Sequence, residues 1–196
     1  MQNKKIYIEA GANNGIEQSR SLFLAKDPDY FGILIEPDFG AFSECQKSRG
    51  SNAIVINCAL VNKEYTGETI KMFKHNSSLM NSCLNHKLEK NRYSSEIECQ
   101  ARTLQSILDE YNIKKVDYLF LDVEGFEHQV LNGIDFSKTE FDHIEVESHF
   151  PFLQVSPEQD QQKFVDFFEP NGYVLVDLIK QDGLPKLIFK PSKQNT

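Results

Sequence analysis

Apolar residues gather along this chain in short runs, and between the runs they return at every third or fourth position. The stretches "KKIYIEA" (4–10), "YFGILIEP" (30–37), "AIVINCAL" (53–60), "VDYLFLDVEG" (116–125) and "HIEVESH" (143–149) read as strands. The fourth is almost continuously apolar, as in a strand buried on both faces. "IEQSRSLFLAKDP" (16–28) predicts a helix ending before Pro28, and "DFGAFSECQKSRG" (38–50) a second one closed by Gly50. Thr103 is placed to cap a helix in which Leu104, Ile107, Leu108 and Tyr111 recur at helical spacing. "FEHQVLNGI" (126–134) suits a short helix, and Ser156, Pro157 and Gln159 form a capping-box start for "PEQDQQKFVDFFEP". The last two runs, "GYVLVDLIK" and "PKLIFKP", are split by "QDGL" and read as a hairpin.

Alternation of strand and helix predicts an α/β fold whose mostly parallel sheet is covered on both faces, with the terminal hairpin adding an antiparallel edge. Residues 61–102 interrupt the alternation with two strand-like runs, "GETIKMFK" and "EIECQARTL", around the polar segment 75–95. There "NSSLMNSCLNH" suits a lid over a site or an exposed loop. The expectation is one domain over 1–196 with one insertion.

Composition narrows the class. A chain of 196 residues, 40% hydrophobic and with 15 Phe, has the length for one substantial core. No run reaches the roughly 18–20 apolar residues of a membrane span, and "MQNKKIYIEA" lacks a secretory apolar region, so a cytoplasmic protein is expected. A net charge of −8 disfavours a nucleic-acid partner. Cys45, Cys58, Cys83 and Cys99 follow no disulfide-scaffold spacing, and His75, Cys83, His86 and Cys99 match no zinc-finger pattern.

Ligands of such sheets bind beyond the carboxyl ends of the strands. Those ends here are Glu9 to Gly15, Glu36-Pro37, Asn57 to Ala59, Asp122 to Gly125, and Glu147 to His149, so four of the five carry carboxylates. The first turn, "EAGANNG", departs from the dinucleotide pattern of three glycines, because Asn13 stands between Gly11 and Gly15. Glu9 would also repel a pyrophosphate. A ligand with an ammonium and a sulfonium and no phosphate, S-adenosylmethionine, reverses the sign of that argument: Glu9 would favour the ammonium, directly or through water. Glu36 is placed to accept both ribose hydroxyls, a feature that fits NAD equally well. A dinucleotide oxidoreductase and a noncatalytic nucleotide-binding module stay open as alternatives.

"IEAGANNG", "GILIEPDFGAF", "NCAL", "RTLQSIL" and "VDYLFLDVEGFEHQVLNGI" together resemble the FkbM family of S-adenosylmethionine-dependent methyltransferases, over about residues 5 to 150. The resemblance implies the Rossmann-like, seven-stranded class I methyltransferase sheet and O-methylation of a hydroxyl on a carbohydrate or related small metabolite. It aligns Glu9, Gly11, Asn13 and Gly15 with the first cofactor motif, and Glu36, followed by Pro37, with the ribose-binding acid. Ala59 falls beside the adenine, and Asp122 and Glu124 match the acidic motif near the transferred methyl.

A hydroxyl acceptor needs a base. Glu124, beyond the strand end and next to Gly125, is the first candidate; His149, titrating near neutrality, is the rival. Glu147 is expected to orient the acceptor. Asp122 and Glu147 could instead share a Mg²⁺ ion, but the preferred assignment has no metal. The chain opens directly on its first strand, so cover for the cleft is expected from residues 75–95, from a further domain, or from a partner subunit in a twofold dimer.

Overall fold

The computed structural model describes residues 4–75, 81–83, 93–180 and 183–192. Seven strands build its main sheet: β1 (Lys5–Ala10), β2 (Tyr30–Ile35), β3 (Ala53–Ile56), β8 (Tyr118–Leu121), β10 (Ile144–Glu147), β11 (Tyr173–Ile179) and β12 (Lys186–Pro191). Their spatial order is β11-β12-β10-β8-β1-β2-β3, and β12 alone runs against its neighbours. The chain leaves β1 in one direction through β2 and β3, then returns to its other side with β8. That reversal opens a crevice at the carboxyl ends of β1 and β8.

The period of two along each strand divides the core. From β8, Leu119 and Leu121 join Ile8, Ile33, Ile144 and Phe189 on one face. Phe120 joins Tyr7, Leu34 and Cys45 on the other. Three helices carry the starts expected of them. Asp38 accepts from Gly40 and Ala41 to open α1 (Phe39–Arg49), and Thr103 accepts from Ser106 to open α2 (Leu104–Glu110). The reciprocal box of Ser156 and Gln159 opens α5 (Pro157–Phe168). Two short helices, α3 (Glu127–Leu131) and α4 (Phe150–Leu153), follow β8 and β10.

The insertion forms its own sheet. In it β5 (Thr69–His75) pairs antiparallel with β6 (Tyr93–Arg102), and β6 pairs parallel with β4 (Ala59–Leu60). A separate two-stranded pair joins β7 (Lys115–Val116) to β9 (Glu140–Phe141). The expected lid, 75–95, falls mostly outside the described residues; of its inner part only 81–83 are described.

Two expectations are corrected. Residues 16–28 form turns with a single 3₁₀ turn, Leu24–Lys26, in place of a helix. Polar side chains compete for the backbone there: Asn14 Oδ1 accepts from the amides of Ile16 and Glu17, and Glu9 takes the amide of Arg20. The run 53–60 is two strands. Asn57 Nδ2 donates to the carbonyls of Glu36 and Pro37, and the chain beyond it departs to the second sheet as β4.

Candidate active site

Residues from every strand end named above converge on one cleft of about 950 Å³, its open mouth included. Glu9, Gly11, Asn13, Glu36, Pro37, Ala59, Asp122, Glu124 and Glu147 all line it. Gly15 and His149 do not.

On the β1–β2 side, the glycines serve close packing. A Cβ at Gly11 (φ 83°) would stand 1.7 Å from the carbonyl oxygen of Asp122, so only glycine lets the first loop lie against the end of β8. A Cβ at Gly15 would stand 2.8 Å from Cys45 Sγ and Ser48 Oγ of α1. Gly15 thus seats the loop on that helix, away from the cleft. Asn13, itself left-handed at φ 45°, donates its amide to Glu36 Oε2 at 2.8 Å, and the amide of Asp38 reaches Glu36 Oε1 at 2.8 Å. Each Glu36 oxygen keeps a lone pair for a ligand hydroxyl. Burial pushes the Glu36 carboxyl up to about 7, although those two backbone bonds oppose the shift.

Glu9 lines the cleft and is also tied into the protein. It is buried, and four protein groups meet its carboxylate. Arg49 Nη2 lies 2.8 Å from Oε2, the hydroxyls of Ser19 and Ser21 donate to the same oxygen, and the amide of Arg20 donates to Oε1 at 2.7 Å. The guanidinium of Arg49 neutralises the charge that was expected to face a ligand ammonium. Glu9 thereby ties loop 19–21 to β1, and Ser19 and Arg20 of that loop line the cleft.

The β8–β10 side is the reverse. Asp122, Glu124 and Glu147 face the cleft around His149, which is buried beneath them at 1% exposure. His149 Nε2 lies 3.3 Å from Glu124, 3.4 Å from Glu147 and 3.7 Å from Asp122, and Nδ1 lies 3.0 Å from Glu127. Burial disfavours the charged ring, but Glu127, Glu124 and Asp122 outweigh it and hold the imidazole well above its ordinary value. Burial, then repulsion from Glu147, raises the Asp122 carboxyl well above the usual range. Glu147 is also paired with Lys186 at 2.7 Å. Asp122, Glu127 and His149 offer atoms within 4.8 Å of one another; an imidazole already seated on Glu127 satisfies that grouping, and no metal-ligand role is assigned to it.

Apolar groups close the other side. Cys58, Ala59, Leu60 and Met72 form a wall, and the insertion adds Asn81 and Cys83. Ser82 Oγ donates to the carbonyl of Glu124 at 2.8 Å, which joins the insertion to the turn carrying that residue.

S-adenosylmethionine fits these residues. Glu36 presents spare acceptors, and Asn13 Nδ2, a buried donor at the cleft, has no partner among the described residues. Sequence reasoning missed two residues, Arg49 and Glu127. The first reads as an ordinary basic residue in the last turn of a helix; the second was within the quoted "DVEGFE" run, where its spacing from Glu124 is one helical turn.

This strand order, with β12 reversed and the cleft at the β1–β8 reversal, is that of a class I methyltransferase. The chain belongs to the FkbM family of S-adenosylmethionine-dependent methyltransferases: the family model described as "Methyltransferase FkbM domain" matches residues 9–175. Among solved structures it is similar to methyltransferase FkbM from Methylobacillus flagellatus KT, with a TM-score of 0.58 at 15% identity, covering 96% of this chain and 44% of that one. It is also similar to the fibrillarin pre-rRNA processing protein of Methanococcus jannaschii, with a TM-score of 0.55 at 12% identity, covering 98% of this chain and 68% of that one. The chain therefore spans less than half the length of its FkbM structural relative. No curated protein matches it by sequence. Among the described residues, no helix is long and apolar enough to cross a membrane.

Proposed function

We propose that the cleft transfers a methyl group from S-adenosylmethionine to a hydroxyl of a carbohydrate or related small metabolite, with Glu124 as the base. The observation that carries this reading is the convergence of Asp122, Glu124 and Glu147 at one end of a cleft whose other end offers Glu36 and Asn13. When bound, S-adenosylmethionine supplies an activated methyl, the electron pair of the broken S–C bond returning to sulfur. Glu36 accepts the ribose hydroxyls, and Asn13 Nδ2 donates to the cofactor. Glu147 orients the acceptor. Glu124 takes the acceptor's O–H proton as the new C–O bond forms, so the charge lost at sulfur leaves as a proton on the carboxylate. His149 lies below the carboxylates, which favours Glu124 over His149 as the group in contact with the acceptor.

Charge supports this choice of acceptor class. One fibrillarin neighbour is titled a pre-rRNA processing protein, but a transfer end walled by Asp122, Glu124 and Glu147 in a chain of net charge −8 repels phosphodiesters. A neutral polyol meets no such barrier. The test is a panel of sugar and small-metabolite hydroxyl acceptors with labelled S-adenosylmethionine. Glu124→Gln is expected to lower turnover by roughly 10²- to 10⁴-fold while cofactor affinity holds. Near-normal turnover in Glu124→Gln, with loss in Asp122→Asn or His149→Ala, would move the base elsewhere.

A further inference from the structure

Three carboxylates this close repel one another, and Glu124 sits on a strained turn. Its φ of 54° is a left-handed conformation that a non-glycine residue adopts at a cost of about 1–2 kcal/mol. The geometry shows what holds the arrangement. A single oxygen of Glu127, Oε1, accepts the amides of Val123 at 3.0 Å and Gly125 at 3.1 Å, the two residues flanking Glu124. The same oxygen lies 3.0 Å from His149 Nδ1. Glu127 is 1% exposed and does not line the cleft.

We infer that Glu127 is the positioning residue of the transfer site: one buried carboxylate fixes the turn that carries Glu124 and holds the His149 ring with Nε2 facing Asp122, Glu124 and Glu147. This rests on the methyl-transfer reading above and adds to it a residue that never touches substrate. With protons on both ring nitrogens, Nδ1 is set against Glu127 and Nε2 faces the three cleft carboxylates. The direction of the Glu127 shift agrees: burial alone would raise it, yet the charge and hydrogen bond of His149, with the backbone amides, bring it below the ordinary value. Among the described residues, Lys186 pairs with Glu147, and Arg20 is held by Glu145 at 2.6 Å.

The test is nitrogen NMR of the full chain with labelled histidine, across pH, beside calorimetric titration with S-adenosylhomocysteine. In the wild type His149 is expected to remain doubly protonated well above the pH at which an ordinary imidazole titrates, a result that needs no variant. Glu127→Gln keeps an oxygen for the Val123 and Gly125 amides but removes the charge. It should lower the His149 midpoint by about one unit or more and leave S-adenosylhomocysteine affinity unchanged. Glu158→Gln, on the exposed first turn of α5, should move neither. A neutral His149 at pH 7 in the wild type would overturn the inference, as would an unchanged midpoint in Glu127→Gln. Loss of S-adenosylhomocysteine affinity in Glu127→Gln by more than about tenfold would make Glu127 a general support and overturn it too. Selective broadening of the His149 signals by micromolar Mn²⁺ would do the same, assigning the carboxylates to a cation. Failure of S-adenosylhomocysteine to bind the wild type is separate: it defeats the methyl-transfer reading and leaves the histidine measurement standing.

Discussion

Glu9 and Asp122 stand at the ends of two paired parallel strands, at neighbouring levels of one sheet, and their carboxylates have opposite fates. Glu9 is met by a buried guanidinium, two hydroxyls and an amide, and its charge goes into holding a loop. Asp122 faces the cleft with Oδ1 lacking any hydrogen-bond partner among the described residues, crowded by other acids. The difference is made by distant parts of the chain. Arg49 comes from the far end of α1 to one site, and Glu147 and His149 come from β10 to the other. A carboxylate at a strand end is therefore a structural anchor or an acid facing the cleft according to what the neighbouring element brings.

The comparison breaks most visibly in stability. Arg49→Met leaves Glu9 buried without its countercharge and should destabilise the fold by about 3–5 kcal/mol, read from the urea midpoint. Asp122→Asn removes a charge that its surroundings already disfavour, and should leave the midpoint unchanged or raise it. Equal losses in both variants would erase the distinction between the two sites.

Glu36 sharpens the contrast through pH. Its carboxyl holds a proton more tightly folded than unfolded, with a value raised from 4.5 to about 7. Its contribution to stability is thus fully present below about pH 4.5 and is lost as pH rises to about 7. The stability of wild type relative to Glu36→Gln should fall by about 3 kcal/mol across that window. A flat difference would mean that the buried carboxyl is better solvated than its setting implies. The same group governs binding with the opposite slope. Ribose hydroxyls donate to the ionised form, so S-adenosylhomocysteine affinity should weaken as pH falls below about 7, by up to about tenfold per unit. Glu36→Gln should bind weakly with no such slope.

Much of this is legible in the sequence alone. The runs of apolar residues gave the seven strands and the reversed edge, because strand period and turn residues are local properties. Glu36, Asp122 and Glu124 were legible as cleft-lining groups because each ends an apolar run. The remainder depended on partners far along the chain. Residues 16–28 have a helical pattern, but Asn14 and Glu9 capture the amides a helix would use. The position of Glu9 was legible and its pairing with Arg49 was not, since nothing around Arg49 in the sequence separates it from a solvated basic residue at a helix end. Glu127 was hidden in the same way, as an acid in the first turn of a short helix, where a favourable dipole interaction is explanation enough.

The central claim is that Glu36 and Asn13 hold S-adenosylmethionine at one end of the cleft so that its methyl meets the carboxylates at the other. A thermal-shift panel of S-adenosylhomocysteine, S-adenosylmethionine and NAD against wild type and Glu36→Ala tests it most directly. S-adenosylhomocysteine at about 100-fold over Kd should stabilise the wild type by roughly 2.7 kcal/mol, Glu36→Ala should lose most of that gain, and NAD should stabilise neither. Stabilisation by NAD without any by S-adenosylhomocysteine would contradict the account.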